Sequence, residues 1–227
     1  MMRVLVINPN TTVAVTERIT AEARRNAPPD VEVTGVTARF GVPYIQTPEQ
    51  SATAGQAVLE LVGRLAHGFD AVMIAAFSDP GLAEARAMLP IPVVGIAESA
   101  MLTAMMCGGR FAIVTLSPIL RPVMEQAAHA LGCPDRLAGI HTLEAPVVDI
   151  CTVQTDHRTA FGELCRKAAL APGVHSIILG GGPLAGLARE MRDRVPIPLL
   201  DGTACAINHA ATLVRLGIGR PQWRMAV

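Results

Sequence analysis

The strongest constraint on this chain is that it repeats itself. Arg3-Val-Leu-Val-Ile-Asn lines up with Arg110-Phe-Ala-Ile-Val-Thr at an offset of 107 residues. Gly81-Leu-Ala returns as Gly186-Leu-Ala at an offset of 105, and Pro90-Ile-Pro as Pro196-Ile-Pro at 106. Three nearly equal offsets in one order predict two similar halves of about a hundred residues each. Each half alternates short apolar runs with stretches of helical period. The runs expected as strands are 4–7, 31–36, 71–75, 93–96, 111–114, 139–143, 176–179 and 199–200. The expected helices are 13–25, 51–66, 80–89, 98–106, 118–131, 156–169, 184–194 and 202–216. Residues 71–75 are apolar throughout, which marks a strand covered on both faces. Such alternation predicts an α/β fold of two similar lobes, each a short parallel sheet flanked by helices. No low-complexity linker separates them. The boundary is expected near Glu98, with the last helix crossing back, giving a first lobe of 1–97 plus 205–227 and a second of 98–204.

Composition narrows the classes of function. Hydrophobic residues make up 51% of the 227 and charged residues 17%, which supports a sizeable core and excludes a disordered chain. Nineteen Lys+Arg balance nineteen Asp+Glu, and aromatics are 3%, so neither nucleic acid nor an anionic membrane is an expected partner. No apolar run approaches the ~18 residues of a membrane span. Residues 4–7 are too short for the core of an export signal, so a cytoplasmic location is expected. The five cysteines are odd in number and form no CxxC, and they read as reduced thiols filling space. No HxH, HExxH or clustered Cys/His spacing suggests a metal, and Gly180-Gly-Gly-Pro183 lacks the spacing of a dinucleotide fingerprint, so no cofactor is expected. His141 and His209 read as structural and His157 as exposed.

Ligands of parallel α/β sheets bind beyond the C-terminal ends of strands. In a twinned chain those ends form facing walls. Four loops qualify: 8–12, 76–80, 115–117 and 180–183. Each follows a strand and opens a helix, so its backbone N–H groups can receive an anion or a polarised carbonyl oxygen. Asn8, Thr11, Thr12, Ser78, Thr115 and Ser117 add short polar groups. Each of these residues alone reads first as a helix cap, and only their coincidence at repeat-related positions points to one pocket.

Five segments carry a resemblance over essentially the whole chain. They are Val6-Ile-Asn-Pro-Asn-Thr-Thr, Ile74-Ala-Ala-Phe-Ser-Asp-Pro-Gly-Leu, Pro92-Val-Val-Gly-Ile, Gly109-Arg-Phe-Ala-Ile-Val-Thr and Leu179-Gly-Gly-Gly-Pro-Leu-Ala-Gly-Leu. The sequence resembles the aspartate/glutamate/hydantoin racemase family, and within it the hydantoin and allantoin racemases. The resemblance implies two pseudo-twofold-related flavodoxin-like lobes, a site between them, a small-molecule substrate, a homo-oligomer and no cofactor. It also implies a cysteine in the second and fourth loops, in motifs written Ala-Cys-Phe-Gly-Asp-Pro-Gly and Leu-Gly-Cys-Ala-Gly. Here those two positions are Ala76 and Gly181. Racemisation without a cofactor removes a proton from one face of a carbon and returns one to the other, which tuned thiols can do. Alanine and glycine carry no exchangeable proton.

Four readings follow. The chain keeps the pocket but performs lysis, decarboxylation or hydrolysis of a small carboxylate or cyclic amide. It racemises through other groups. It binds a small ligand without turnover. Or its thiols were removed by design. The candidate catalytic residues are Ser78, as oxyanion donor or nucleophile, Asp79, as a helix cap or a base, and Tyr44, which the resemblance places in a loop over the substrate. The candidate binding residues are Asn8, Thr11, Thr12, Ile45, Ala76, Phe77, Thr115, Ser117, Gly181, Gly182 and Pro183, with Arg121 as a carboxylate anchor.

Overall fold

The computed structural model describes residues 1–218. The first sheet contains β1 (Met2–Asn8), β2 (Val31–Thr37), β3 (Ala71–Ile74) and β4 (Val93–Gly95), all parallel, in the order β2-β1-β3-β4. The second contains β5 (Arg110–Thr115), β6 (Leu137–Thr142), β7 (Val174–Gly180) and β8 (Leu199–Asp201), also parallel, in the order β6-β5-β7-β8. The two orders are the same one written twice, as the offsets require. Among the described residues no helix is long and apolar enough to cross a membrane.

The strands form because both faces of each central strand are covered. Val4 and Val6 face one core with Val15 and Ile19 of α1 (Val13–Asn26). Leu5 and Ile7 face another, with Val58, Leu61 and Val62 of α2 (Pro48–Leu65). α2 starts three residues before the periodicity suggests. Thr47 and Gln50 form a reciprocal capping box around Pro48, so a stretch that reads as loop supplies the first turn. α3 (Leu82–Met88) follows β3, and α5 (Arg121–Ala130) follows β5 after a 3-10 turn. The helix expected over 156–169 is broken at His157 into α6 (Val153–Asp156) and α7 (Arg158–Ala169). α8 (Leu187–Met191) is shorter than expected and runs into a 3-10 turn.

Two helices are exchanged between the sheets. α4 (Ile96–Met106) leaves β4 and packs on β5, β7 and β8, whereas α9 (Gly202–Arg215) leaves β8 and packs on β1, β3 and β4. Ala97, Ala100 and Ala104 of α4 join Ala206, Ile207 and Ala210 of α9 in a single core that also holds Val4, Val6, Phe111 and Ile113. α4 thus covers the second sheet and α9 the first. Residues 219–227, assigned to the first lobe in the sequence reading, lie outside the described residues.

Small side chains let the exchanged helices touch. A Cβ on Gly202 would lie 2.8 Å from the carbonyl oxygen of Ile96, a backbone atom that cannot rotate away. Gly202→Ala is therefore expected to lower stability by about 1–3 kcal/mol in urea unfolding. Gly63, in the interior of α2 with open space around its Cβ position, is the control: Gly63→Ala should raise stability by about 0.5–1 kcal/mol.

Candidate active site

All four sequence-chosen strand-end loops contribute to one cleft. It is lined by Asn10 after β1, by Ala75, Ala76, Phe77 and Ser78 after β3, by Thr115 and Leu116 at the end of β5, and by Gly180, Gly181, Gly182 and Pro183 at the end of β7. Tyr44, Ile45 and Leu120 complete it. β1/β3 and β5/β7 are the points where strand order reverses in each sheet, the usual ligand position in open parallel sheets. The cleft has a cavity volume of about 40 Å³.

The lobes meet here by close contact. The Phe77 ring lies where a Cβ on Gly180 would be, 2.7 Å from the ring edge, so only glycine admits it. A Cβ on Gly182 would stand 2.9 Å from the carbonyl oxygen of Ala75. Gly181 has a φ of 145°, a conformation other residues rarely adopt. Arg18 of α1 reaches across to donate to the carbonyl oxygens of Cys151 (2.6 Å) and Pro183 (3.2 Å), and Gln154 donates to Pro183 as well (2.8 Å). The Arg18 bond to Pro183 holds the fourth loop against the first lobe, and Gln154 braces it from within the second.

The sequence-chosen residues divide into those in the cleft wall and those behind it. Tyr44, Ile45, Ala76, Phe77, Ser78, Thr115, Gly181, Gly182 and Pro183 line the cleft. Asn8 does not. It is fully buried and donates to Asn10 Oδ1 (2.9 Å), Thr16 Oγ1 (2.9 Å) and the Thr12 carbonyl, while its own oxygen accepts from the Asn10 N–H. Its work is to shape the loop that presents Asn10. Thr11 and Thr12 also stand outside the wall and tie down the loop carrying Tyr44, through the Thr11 N–H to Val42 (3.1 Å) and the Thr12 hydroxyl to Pro43 (3.0 Å). Ser117 accepts from the Ile119 N–H and caps the 3-10 turn. Arg121, the first residue of α5, is not among the residues lining the cleft.

Asp79 is corrected most. It lies outside the cleft wall, and its carboxylate caps α4 rather than α3, accepting from Ala97 (3.1 Å) and Glu98 (2.8 Å). It fills the space a side chain at Gly95 would occupy. Asp201, at the end of β8, makes a similar clamp, accepting from Thr203 and Ala204 of α9 and from Gly186 in the turn after β7. Asp79 is the one described non-glycine residue at positive φ (42°). Burial pushes its carboxyl up to about 7, against the pull of the two N–H groups and of Arg86. Burial raises Asp201 too.

Asn10 is the residue the sequence reading missed. It is buried in the cleft wall, its Oδ1 accepts from Asn8 and from the Thr12 N–H, and its amide nitrogen donates to none of those groups. The signal was present in Asn8-Pro-Asn10, where two asparagines compete for one role.

The chemistry of the cleft is that of donors. The Tyr44 hydroxyl is buried without a partner among the described residues, and burial pushes its pKa up to about 12, so it stays a phenol at neutral pH. No backbone hydrogen bond engages the N–H groups of Ala76, Phe77, Ser78 or Gly181 among the described residues. The Thr115 hydroxyl is spent on the Gly180 carbonyl (2.6 Å), and Ser78 pairs with Ser51 (3.1 Å), with no base beside it. Among the described residues Tyr44 is the only ionisable side chain in the wall. None of the five cysteines lines it; Cys107 and Cys205 border a separate cavity beside α8 and α9.

Twinned flavodoxin-like lobes around an interlobe cleft define a class of small-molecule enzymes that work between mirrored walls. The Asp/Glu/Hydantoin racemase family model matches residues 4–210, and the chain belongs to that family. It is 30% identical over 217 residues to a hydantoin racemase of Pseudomonas sp. (strain NS671), covering 95% of this chain and 87% of that protein. Its structure is similar to that of an allantoin racemase from Klebsiella pneumoniae, with a TM-score of 0.91 and 37% identity, covering 96% of this chain and 89% of that one. Arylmalonate decarboxylase shares the fold, with a TM-score of 0.69 at 16% identity over 93% of this chain and 92% of that one.

The Asp79 proton has a stability consequence. The folded acid keeps its proton to higher pH than the unfolded chain, whose ordinary value is 3.8. Its contribution to stability is therefore full below about pH 4 and is lost as pH rises through about 7. Across that window the stability difference between wild type and Asp79→Asn should narrow, by at most about 1.4 kcal/mol per pH unit, and then level. Urea unfolding of both proteins from pH 4 to 8 checks this. A gap that widens with pH would reverse the assignment.

Proposed function

We propose that this chain is a cofactor-independent enzyme acting on a small carboxylate or hydantoin-like cyclic amide, and that it works as a lyase rather than by two-thiol racemisation. The observation that carries the reading is the cleft wall, whose one ionisable side chain among the described residues is a phenol held protonated. Donors without a base suit a reaction that makes its carbanion by losing a group, not by losing a proton. Decarboxylation of a substituted malonate is the reaction of this kind that the wall supports best. The bond between the α-carbon and one carboxylate breaks, and its electron pair spreads onto the remaining carboxylate. The Asn10 amide and the free N–H groups of Ala76, Phe77, Ser78 and Gly181 hold that developing charge. Carbon dioxide leaves past the apolar Ile45, Leu116 and Leu120. Tyr44 then gives its proton to the carbon and recovers one from water.

Hydrolysis through Ser78 has less support, because its hydroxyl pairs with Ser51 rather than with a base. Racemisation of a hydantoin or of allantoin is the second reading, favoured by the 37% identity to an allantoin racemase. It needs an acid/base group on each wall, and Ala76 and Gly181 supply neither. Self-association, expected from the family, belongs to the same proposal; light scattering measures it.

The readings separate in D₂O. Substituted malonates should release CO₂ and take up one deuterium, while enantiopure 5-substituted hydantoins and allantoin should keep their C5 proton. Exchange with loss of optical rotation would establish racemisation instead. Ligand-induced thermal stabilisation without turnover would leave a binder. Tyr44→Phe should lower kcat by about 10²–10⁴-fold with little change in KM. The wild-type rate should show no alkaline fall from Tyr44 below about pH 10, since that group titrates near 12.

A further inference from the structure

The cleft holds about 40 Å³, whereas small-molecule sites typically run to hundreds of Å³. Among the described residues, cavities of about 520 and 580 Å³ lie along the α4 and α9 side of the molecule and share no residue with it. The room given to a reacting group is therefore set by the wall loops themselves. In so small a space a wall displaced by an ångström changes which atoms meet, and displacements of that size cost catalysed reactions about 10²-fold. What fixes the distance between the walls then matters to the reaction as much as the donors do.

α1 joins the first loop to the fourth. Thr16 accepts from Asn8 (2.9 Å), which in turn donates to Asn10 (2.9 Å) in the wall. Just beyond Thr16 on the same helix, Arg18 and Ile19 meet the other lobe. A Cβ on Gly182 would stand 3.0 Å from Ile19 Cδ1, so the helix lies directly against the fourth loop. Arg18 Nη1 donates to the carbonyl oxygens of Pro183 (3.2 Å) and Ile150 (3.4 Å), and Nη2 to that of Cys151 (2.6 Å). It forms no ion pair with a carboxylate among the described residues. One half-buried guanidinium of the first lobe thus grips two segments of the second. They are the 3-10 turn Gly182–Leu184 and the stretch between β6 and α6, whose Val147 packs against the same two cores as Tyr44.

We infer that Arg18 is a positioning residue for the reaction in the cleft, holding the fourth loop's N–H donors at working distance from Asn10 and Tyr44. The inference rests on the reading that the cleft is the reacting site. Arg18 does not line the cleft, so it acts only through the loop. Gly181 stands two residues before Pro183, and a shift of the Pro183 carbonyl carries the Gly181 N–H with it. The task calls for an arginine: a planar fork serves carbonyls in two directions with charge-assisted bonds, whereas a lysine ammonium is one strongly hydrated point. Gln154 also donates to Pro183 (2.8 Å) from its own lobe, so without Arg18 the turn stays folded but follows the second lobe.

The test compares wild type with Arg18→Ala and Arg18→Lys on whichever of the substituted malonates, hydantoins or allantoin wild type turns over. Arg18→Ala should lower kcat by about 10²-fold and leave KM within about threefold. Millimolar guanidinium chloride should restore much of that loss, and equal ammonium chloride none. Arg18→Lys, which keeps the charge and the stem, should stay near the alanine variant, and it carries the test if Arg18→Ala does not fold. Amide hydrogen exchange at residues 150–154 and 181–185 should quicken in both variants. Arg64→Ala, which removes an exposed arginine paired with Glu60 on α2, should leave kcat unchanged. A folded Arg18 variant with wild-type kcat, whatever its exchange, would reduce Arg18 to a structural tie and spare the cleft. Rescue by ammonium as good as by guanidinium would overturn the role of the fork. Failure of wild type to turn over any of these probes would overturn the cleft reading and the role of Arg18 together.

Discussion

Two inward-turned carboxylates at the N-termini of two exchanged helices hold this molecule in its working shape. Asp79 joins the loop after β3 to α4, and Asp201 joins α9 to the turn after β7. Each helix has already left its own sheet to cover the other. The cleft loops are therefore fastened to the elements that bind the lobes together. An acid at each of these helix ends also answers the partial positive charge of the helix and its unpaired N–H groups. The two are not copies: in one half the acid comes from the turn, in the other from the strand end. A chain that began as a repeat has reached the same clamp from opposite sides.

That clamp determines what the cleft can do. It removes Asp79 from the wall and spends its oxygens on α4, so the one carboxylate in the second loop is not available to take a proton from a ligand. What remains is an asparagine pinned by its neighbour, a row of N–H groups that no backbone carbonyl engages among the described residues, and a buried phenol. Such groups stabilise negative charge as it forms and supply one proton from one side. The requirement for a small contact at Gly180, where Phe77 of the opposite lobe packs, sets how closely the walls approach.

Much of this was legible in the residues. Equal offsets between Arg3 and Arg110, Gly81 and Gly186, and Pro90 and Pro196 predicted two like sheets, and runs such as Ala71–Ile74 located their central strands. Strand ends then pointed to four loops, and all four meet. Roles within those loops were not legible, because a short polar side chain after a strand can face the ligand or the backbone, and only three-dimensional partners decide. Asn8 turned inward and Asn10 outward for that reason. Asp79 was expected to cap the nearest helix, but a partner eighteen residues on captured it, which no local pattern encodes. The start of α2 was obscured by Pro48, whose loop-like appearance conceals a good first helical residue.

The central claim is that the reacting group of a ligand sits between the lobes and is held by donors alone. A crystal structure with a substituted malonate bound measures this most directly. It should show ligand oxygen within about 3 Å of Tyr44 Oη, Asn10 Nδ2 and at least one of the free N–H groups of the second and fourth loops. The reacting carbon should lie between Ala76 and Gly181. A ligand seated in the cavities along α4 and α9, or a thiol or carboxylate of this chain beside that carbon, would contradict the account.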